Sequence, residues 1–283
     1  MSSILTNNSA MNALSTLRNI NNNLSQTQDR ISTGLKVDSA KDNASYFSIS
    51  TTMSAESGMN KAVNEGLTLA KNSISTARLG AETVKDLAQQ FMERAAFAQE
   101  TGVDQAEVQK ELVALTDQML TAISQSSFNG ENLISTAGVT AQATKDVTTG
   151  VSRAGGTIST TTQSFTNTDL EAVAGNFATI AGNIGGATTQ AALEAELVAA
   201  EAELQTVIGA ATNLGVAEKA IETQQNFLNE LSDRLDAGVG SMVDANMEEE
   251  AARLQALQVQ QQLATQSLSM ANQAPQNILS LFR

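Results

Sequence analysis

The chain has 283 residues and a formal net charge of −14, with no cysteine, no histidine and no tryptophan. Losing cysteine removes disulfides and thiolate metal sites, and losing histidine removes the commonest general base and metal ligand, so no catalytic residue, metal or cofactor is expected. The acidic balance argues against nucleic acid, which needs clustered Lys and Arg, and no apolar run approaches membrane-spanning length, so membrane insertion is not expected either.

One tyrosine, eight phenylalanines and a single proline, Pro275, point to long helices packed over thin seams instead of a ring-filled globule. From Ser2 to Ala44 the apolar positions Ala10, Leu14, Leu17, Leu24, Ile31 and Leu35 recur at steps of four, three and seven, the pattern of a coiled-coil seam. Asn21 and Gln28 stand where that seam would continue. A helix with so little to bury needs a partner. Thr33 through Asn43, with Gly34 and short polar residues where a helix should stop, reads as a connector. From Met53 to Glu100 a second seam, including Met59, Ile74, Val84 and Phe91, predicts a helix reaching roughly 70 Å at 1.5 Å per residue.

Asp104 is a candidate N-cap, with Glu107 three residues on to complete a capping box, and the next helix follows Val108, Leu112, Leu115 and Met119. It ends near Ser127, where Phe128-Asn129-Gly130 supplies a hairpin-like turn. Residues 136–190 change to Thr, Gly, Ala and Ser. Short strands and a small helical piece around Asp169 to Val173 are expected there, as a modest surface insert. Ala192 to Leu235 carries the cleanest repeat, a second long helix able to run alongside the first, and Ala237-Gly238-Val239-Gly240 is expected to break it.

The last segment has Val243, Met247, Leu254, Leu257, Ala264, Leu268 and Ala271 in register, with Glu250 and Gln261 on the seam. Pro275 and an apolar tail of Ile278, Leu279, Leu281 and Phe282 follow. The fold expected is mainly α, an elongated nested helical coiled-coil rod with a small β-containing central insert. Its parts are a terminal domain from 1–44 and 241–283, a helical rod domain from 45–135 and 190–240, and a variable insert at 136–189. Glu248, Glu249 and Glu250 read as a solvated helix start, and Arg30 and Arg253 as exposed charges contributing little. Met59, Met119 and Met247 read as seam fillers.

The nested order, together with the segments Ile31 to Ala44, Phe128-Asn129-Gly130 and Ala271 to Arg283, resembles bacterial flagellin. The resemblance covers roughly residues 1–135 and 190–283. It implies a structural subunit that polymerises with copies of itself into the flagellar filament. Leu14, Leu17, Leu24 and Ile31 would pair with Met247, Leu254, Leu257 and Leu268 in the filament-core coil. Asn21, Gln28 and Gln261 would then either fix the register of that coil or face the filament channel. The tail Ile278, Leu279, Leu281 and Phe282 would serve assembly and the export chaperone, and Phe128, Asn129 and Gly130 would form a switching turn. Filament cap and hook-filament junction proteins are further implied partners. The implied location is outside the cell, reached by type III export with an uncleaved signal. A hook-filament junction protein of the same family and a secreted coiled-coil adhesin are the alternative readings.

Overall fold

A computed structural model describes residues 7–135, 144–154 and 157–280. Among these, six helices and one hairpin follow in the order α1 (Asn8–Thr33), α2 (Ala44–Phe97), α3 (Gln105–Gln125), β1 (Thr144–Ala154), β2 (Thr157–Thr166), α4 (Leu170–Gly186), α5 (Gln190–Val243) and α6 (Met247–Ser280).

Short polar side chains set the helix starts, as their chemistry predicts. Asn7 accepts from the Ala10 amide, Asn43 from Ser45 and Tyr46, Asp104 from Ala106, Asp169 from Glu171 and Ala172, and Asn246 from Glu248. Glu107 does not reach back to complete a box, because its carboxylate takes Lys110 instead. The Asn43 cap starts α2 at Ala44, well before the Met53 expected from periodicity. At the other end of α1, Gly34 adopts φ 75°, and its amide closes on the Arg30 carbonyl. That left-handed cap is where a helix normally needs glycine.

The chain divides into two compact units, one made of Met1–Glu56 with Asp233–Arg283 and the other of Ser57–Ser232. The second unit holds the hydrophobic core. Its α2 contributes Leu67, Ile74, Val84 and Phe91, and α3 contributes Leu112, Met119 and Ile123. Phe177 and Ile184 come from α4, and Val207, Leu214 and Ile221 from α5. The Phe91 and Phe177 rings meet edge-on, with centroids 4.9 Å apart and an interplanar angle of 62°. Antiparallel α2 and α5 are stitched by Asn64 to Asn229, Gln225 to Thr68, and Arg78 to Glu218 at 2.7 Å. The Glu218 contact, and then that to Glu82, raises the Arg78 guanidinium above its ordinary pKa, so it stays charged.

Two expectations change. The helix after the hairpin is seventeen residues long and not a short piece, and it packs on α3 with Leu170, Val173, Phe177, Ile180 and Ile184 buried. It therefore belongs to the core and is no surface ornament. The break expected at Ala237 to Gly240 does not occur, because α5 runs on to Val243. Glycine inside a helix costs only about 1 kcal/mol against alanine, which neighbouring contacts can offset. Here a Cβ on Gly238 would lie 2.8 Å from Met53 Cε, and one on Gly240 would lie 2.6 Å from Asp244 Oδ2. Both glycines make room for neighbours and leave the helix intact.

Beside the core, β1 and β2 form a two-stranded antiparallel ribbon with an irregularity between Thr148 and Gly150. Val147 buries on the core side, whereas β2 is exposed along nearly its whole length.

Candidate functional site

In the first unit α1 and α6 pair along their length. Asn7 Nδ2 donates to the Ala271 carbonyl at 2.8 Å, Gln261 Nε2 to Asn21 Oδ1 at 2.7 Å, and Arg30 Nη1 to Glu250 Oε1 at 3.1 Å, so the helices are antiparallel. The inward positions alternate at three and four residues, as a two-stranded seam requires. They are Ala10, Ala13, Leu17, Ile20, Leu24, Thr27 and Ile31 on α1, and Glu250, Leu254, Leu257, Gln261, Ala264, Leu268 and Ala271 on α6.

The line differs from the one expected. Ile20 and Thr27 sit in it, both buried, while Asn21 and Gln28 are exposed beside it. Leu14 is 38% exposed and Met247 46%, so neither lies in the seam, whereas Leu17, Leu24, Ile31, Leu254, Leu257 and Leu268 do. A step of four from Leu17 reaches Asn21 and passes over Ile20. Strict alternation of three and four would have found Ile20 and named Thr27, not Gln28, as the polar break.

Arg30 and Arg253 are not idle surface charges. Both bond Glu250 Oε1, Arg253 at 3.4 Å, and the Glu250 side chain is only 7% exposed. Its second oxygen, Oε2, is buried without a hydrogen-bond partner. Arg253 also reaches Glu249 at 3.1 Å. Burying a carboxylate costs desolvation that its two guanidinium partners offset, so such a cluster is weak evidence of net stabilisation.

The two connectors of this unit are tied to each other. Leu35 and Asp244 form an antiparallel bridge, the Lys36 amide donates to the Val243 carbonyl at 2.6 Å, and the Ala245 amide donates to the Gly34 carbonyl at 2.8 Å. Val37 and Val243 are buried there. Asp42 closes the loop by accepting from both the hydroxyl and the amide of Ser39, which hold its carboxyl below the usual aspartate range.

In the second unit the Phe128 and Glu131 backbones exchange two hydrogen bonds around Asn129 at φ 53° and Gly130 at φ 82°. Positive φ at both central residues is what a type I′ turn demands, and Asn-Gly supplies it with least strain. Glu131 then pairs with Lys145 of β1 and accepts from Ser73 of α2. A groove of about 530 Å³ opens beside this pair, over Gly66 and Leu69. Among the described residues no cluster of acidic groups could hold a metal ion. Leu281 and Phe282 lie outside the described residues, as do the side chains of Ile278 and Leu279.

Residues 4–139 match the bacterial flagellin N-terminal helical region, and residues 197–282 match the C-terminal helical region. The chain is also 36% identical over 286 residues to the flagellin of Brucella melitensis, covering all of both chains. It belongs to the bacterial flagellin family. A flagellin of Caulobacter vibrioides is 36% identical over 293 residues, covering 100% of this chain and 99% of that one. A solved flagellar hook-associated protein from Vibrio parahaemolyticus shares the fold at TM-score 0.56 and 13% identity, covering 72% of this chain and 100% of that one. As a flagellin the chain is a structural subunit of the flagellar filament, and flagellins self-assemble into that extracellular filament.

Proposed function

We propose that the α1 and α6 pair is the element through which this flagellin polymerises, and that its seam is completed only by neighbouring copies. One observation carries the reading. Among the described residues of the first unit the buried apolar ones are Ile20, Val37, Val243 and Leu257, while Met11, Val259, Leu263 and Met270 on α1 and α6 are each more than half exposed. A helix pair that buries so little and displays so much is marginal alone and gains by association. Copies joined head to tail by unlike faces extend into an open helical filament. Anything that binds only the folded pair stabilises it by mass action, so folding and growth are coupled.

On this reading residues 1–44 and 241–283 form the filament core, 45–135 and 190–240 a helical rod domain, and 136–189 the insert, whose helix α4 packs into the core of the second unit. Leu14 and Met247, exposed in the single subunit, join the coil from its flanks. The Phe128-Asn129-Gly130 turn switches filament form, a role supported by its ties to α2 and β1 through Glu131. The tail Ile278 to Phe282 meets the export chaperone before secretion through the flagellar type III apparatus, and cap and hook-filament junction proteins bound the growing polymer. The family's structural character supports a subunit with no enzymatic role.

Deleting Ser2 to Lys36, or Ala245 to Arg283, should leave a soluble helical protein that fails to extend filament seeds under electron microscopy. Normal filaments from either truncation would sink the proposal.

A further inference from the structure

We propose that Met11, Met247 and Met270 are sites of reversible oxidation by hydrogen peroxide, and that this oxidation blocks polymerisation of the free subunit. The inference rests on the polymerising role just assigned to α1 and α6. Its basis is how the methionines are distributed. Met11 and Met270 are 62% exposed and Met247 46%. Met119 is fully buried, and Met53, Met59, Met92 and Met242 are half-buried. Among the described residues, then, the exposed thioethers all lie on the two terminal helices.

The rest of the composition makes these sulfurs the natural target. There is no cysteine, histidine or tryptophan to compete for oxidant. In the reaction a thioether lone pair attacks one peroxide oxygen and the O–O bond breaks. The sulfur, oxidised by two electrons, keeps that oxygen as a sulfoxide once its proton has passed to the departing hydroxide, which leaves as water. A flexible apolar side chain becomes polar and chiral, and methionine sulfoxide reductases reverse the change.

Position turns the modification into a control. Met11 and Met270 flank the Asn7 to Ala271 hydrogen bond at one end of the pair, and Met247 begins α6 at the other. Met270 lies seven residues from Leu263 and so continues the outward apolar line of Val259 and Leu263. In the free subunit a sulfoxide there points into water at little cost, whereas a neighbouring copy would have to bury it without a partner. Oxidation therefore acts on assembly and leaves the subunit's own fold alone. Once copies are packed together the same sulfurs are shielded, so filaments should resist a dose that disables monomers.

The test uses the full-length subunit treated with dilute hydrogen peroxide. Peptide mass mapping should find added oxygen at Met11, Met247 and Met270 before Met119, with the helical circular dichroism unchanged. Seeded polymerisation should then show a critical concentration raised by roughly tenfold or more, equivalent to about 1.4 kcal/mol per subunit. Treatment with methionine sulfoxide reductases should restore it. The M11L/M247L/M270L variant should assemble equally with and without peroxide, and the reductase arm stands even if that variant assembles poorly. Oxidised subunits that extend seeds at the untreated concentration would overturn the inference, as would a variant still disabled by peroxide. If the terminal truncations polymerise, the assembly reading itself falls. If they do not, but the oxidised full chain does, the methionine inference alone falls.

Discussion

The two compact units are made of the same helical chemistry and differ in what closes their seams. In the second unit α2 and α5 are joined by α3 and α4 around one apolar core, in which Phe91 and Phe177 are in contact. In the first unit α1 and α6 face each other as a pair, and the buried positions along that seam include Thr27 and Glu250 as well as Ile20 and Leu257. Three or more packed elements bury side chains from several directions, while a pair leaves each helix with an outer face. The second unit therefore closes its own core, whereas the first leaves apolar side chains such as Val259 and Leu263 facing outward.

The largest effect is expected from hollowing the second unit. Phe177→Ala removes a ring with no solvent exposure and should cost about 3–5 kcal/mol in urea unfolding of the full chain; a loss below ~1 kcal/mol would mean the ring does not hold the core. Gly80→Ala comes next. Its new Cβ would lie 2.0 Å from Ser126 Oγ and 2.8 Å from Ile134 Cδ1, so α2 or the segment after α3 must shift. The expected cost is about 1–3 kcal/mol, read from the same transition.

In the first unit the effects should be smaller and local. Glu250→Ala deletes the shared acceptor of Arg30 and Arg253, and Arg30 is free to turn partly to water because it is already 23% exposed. About 1–2 kcal/mol is expected, visible as faster amide exchange in α1 and α6 with the unfolding midpoint of the second unit unchanged. Equal loss of protection in α3 and α4 would contradict the independence of the two seams.

The smallest effect concerns pH. Because Ser39 lowers the folded pKa of Asp42, this contact contributes above the ordinary aspartate pKa and is lost as pH falls through the lowered folded value. Exchange of the Ser39 amide should therefore rise only in acid below the usual aspartate range. Asp42→Asn should abolish that rise, and a rise near neutral pH would refute the assignment.

How much of this was legible in the sequence depended on whether a pattern could be read without its neighbours. Helix positions, the Gly34 cap and the Asn-Gly turn are local chemistry and could be read directly. The apolar steps of α4, Leu170, Val173, Phe177, Ile180 and Ile184, were present too, but the Thr- and Gly-rich surroundings masked a helix that belongs to the core. Gly238 and Gly240 could not be read. A glycine that ends a helix and one that admits Met53 or Asp244 look the same until the partner is in place. The register of α1 lay between these cases. Ile20 was visible, yet with few apolar residues a one-residue slip to Asn21 left the count of matches almost unchanged.

The cross-tied connectors carry a mechanical consequence. Gly34 to Val37 and Val243 to Ala245 are separate covalent links, far apart in sequence, yet they share hydrogen bonds at one point. A twist entering through α1 and α6 cannot load one link while sparing the other, since turning Leu35 carries Asp244 with it. The two strands of backbone are thus joined by hydrogen bonds at the point where α1 leads into the connector to α2 and α5 leads into α6.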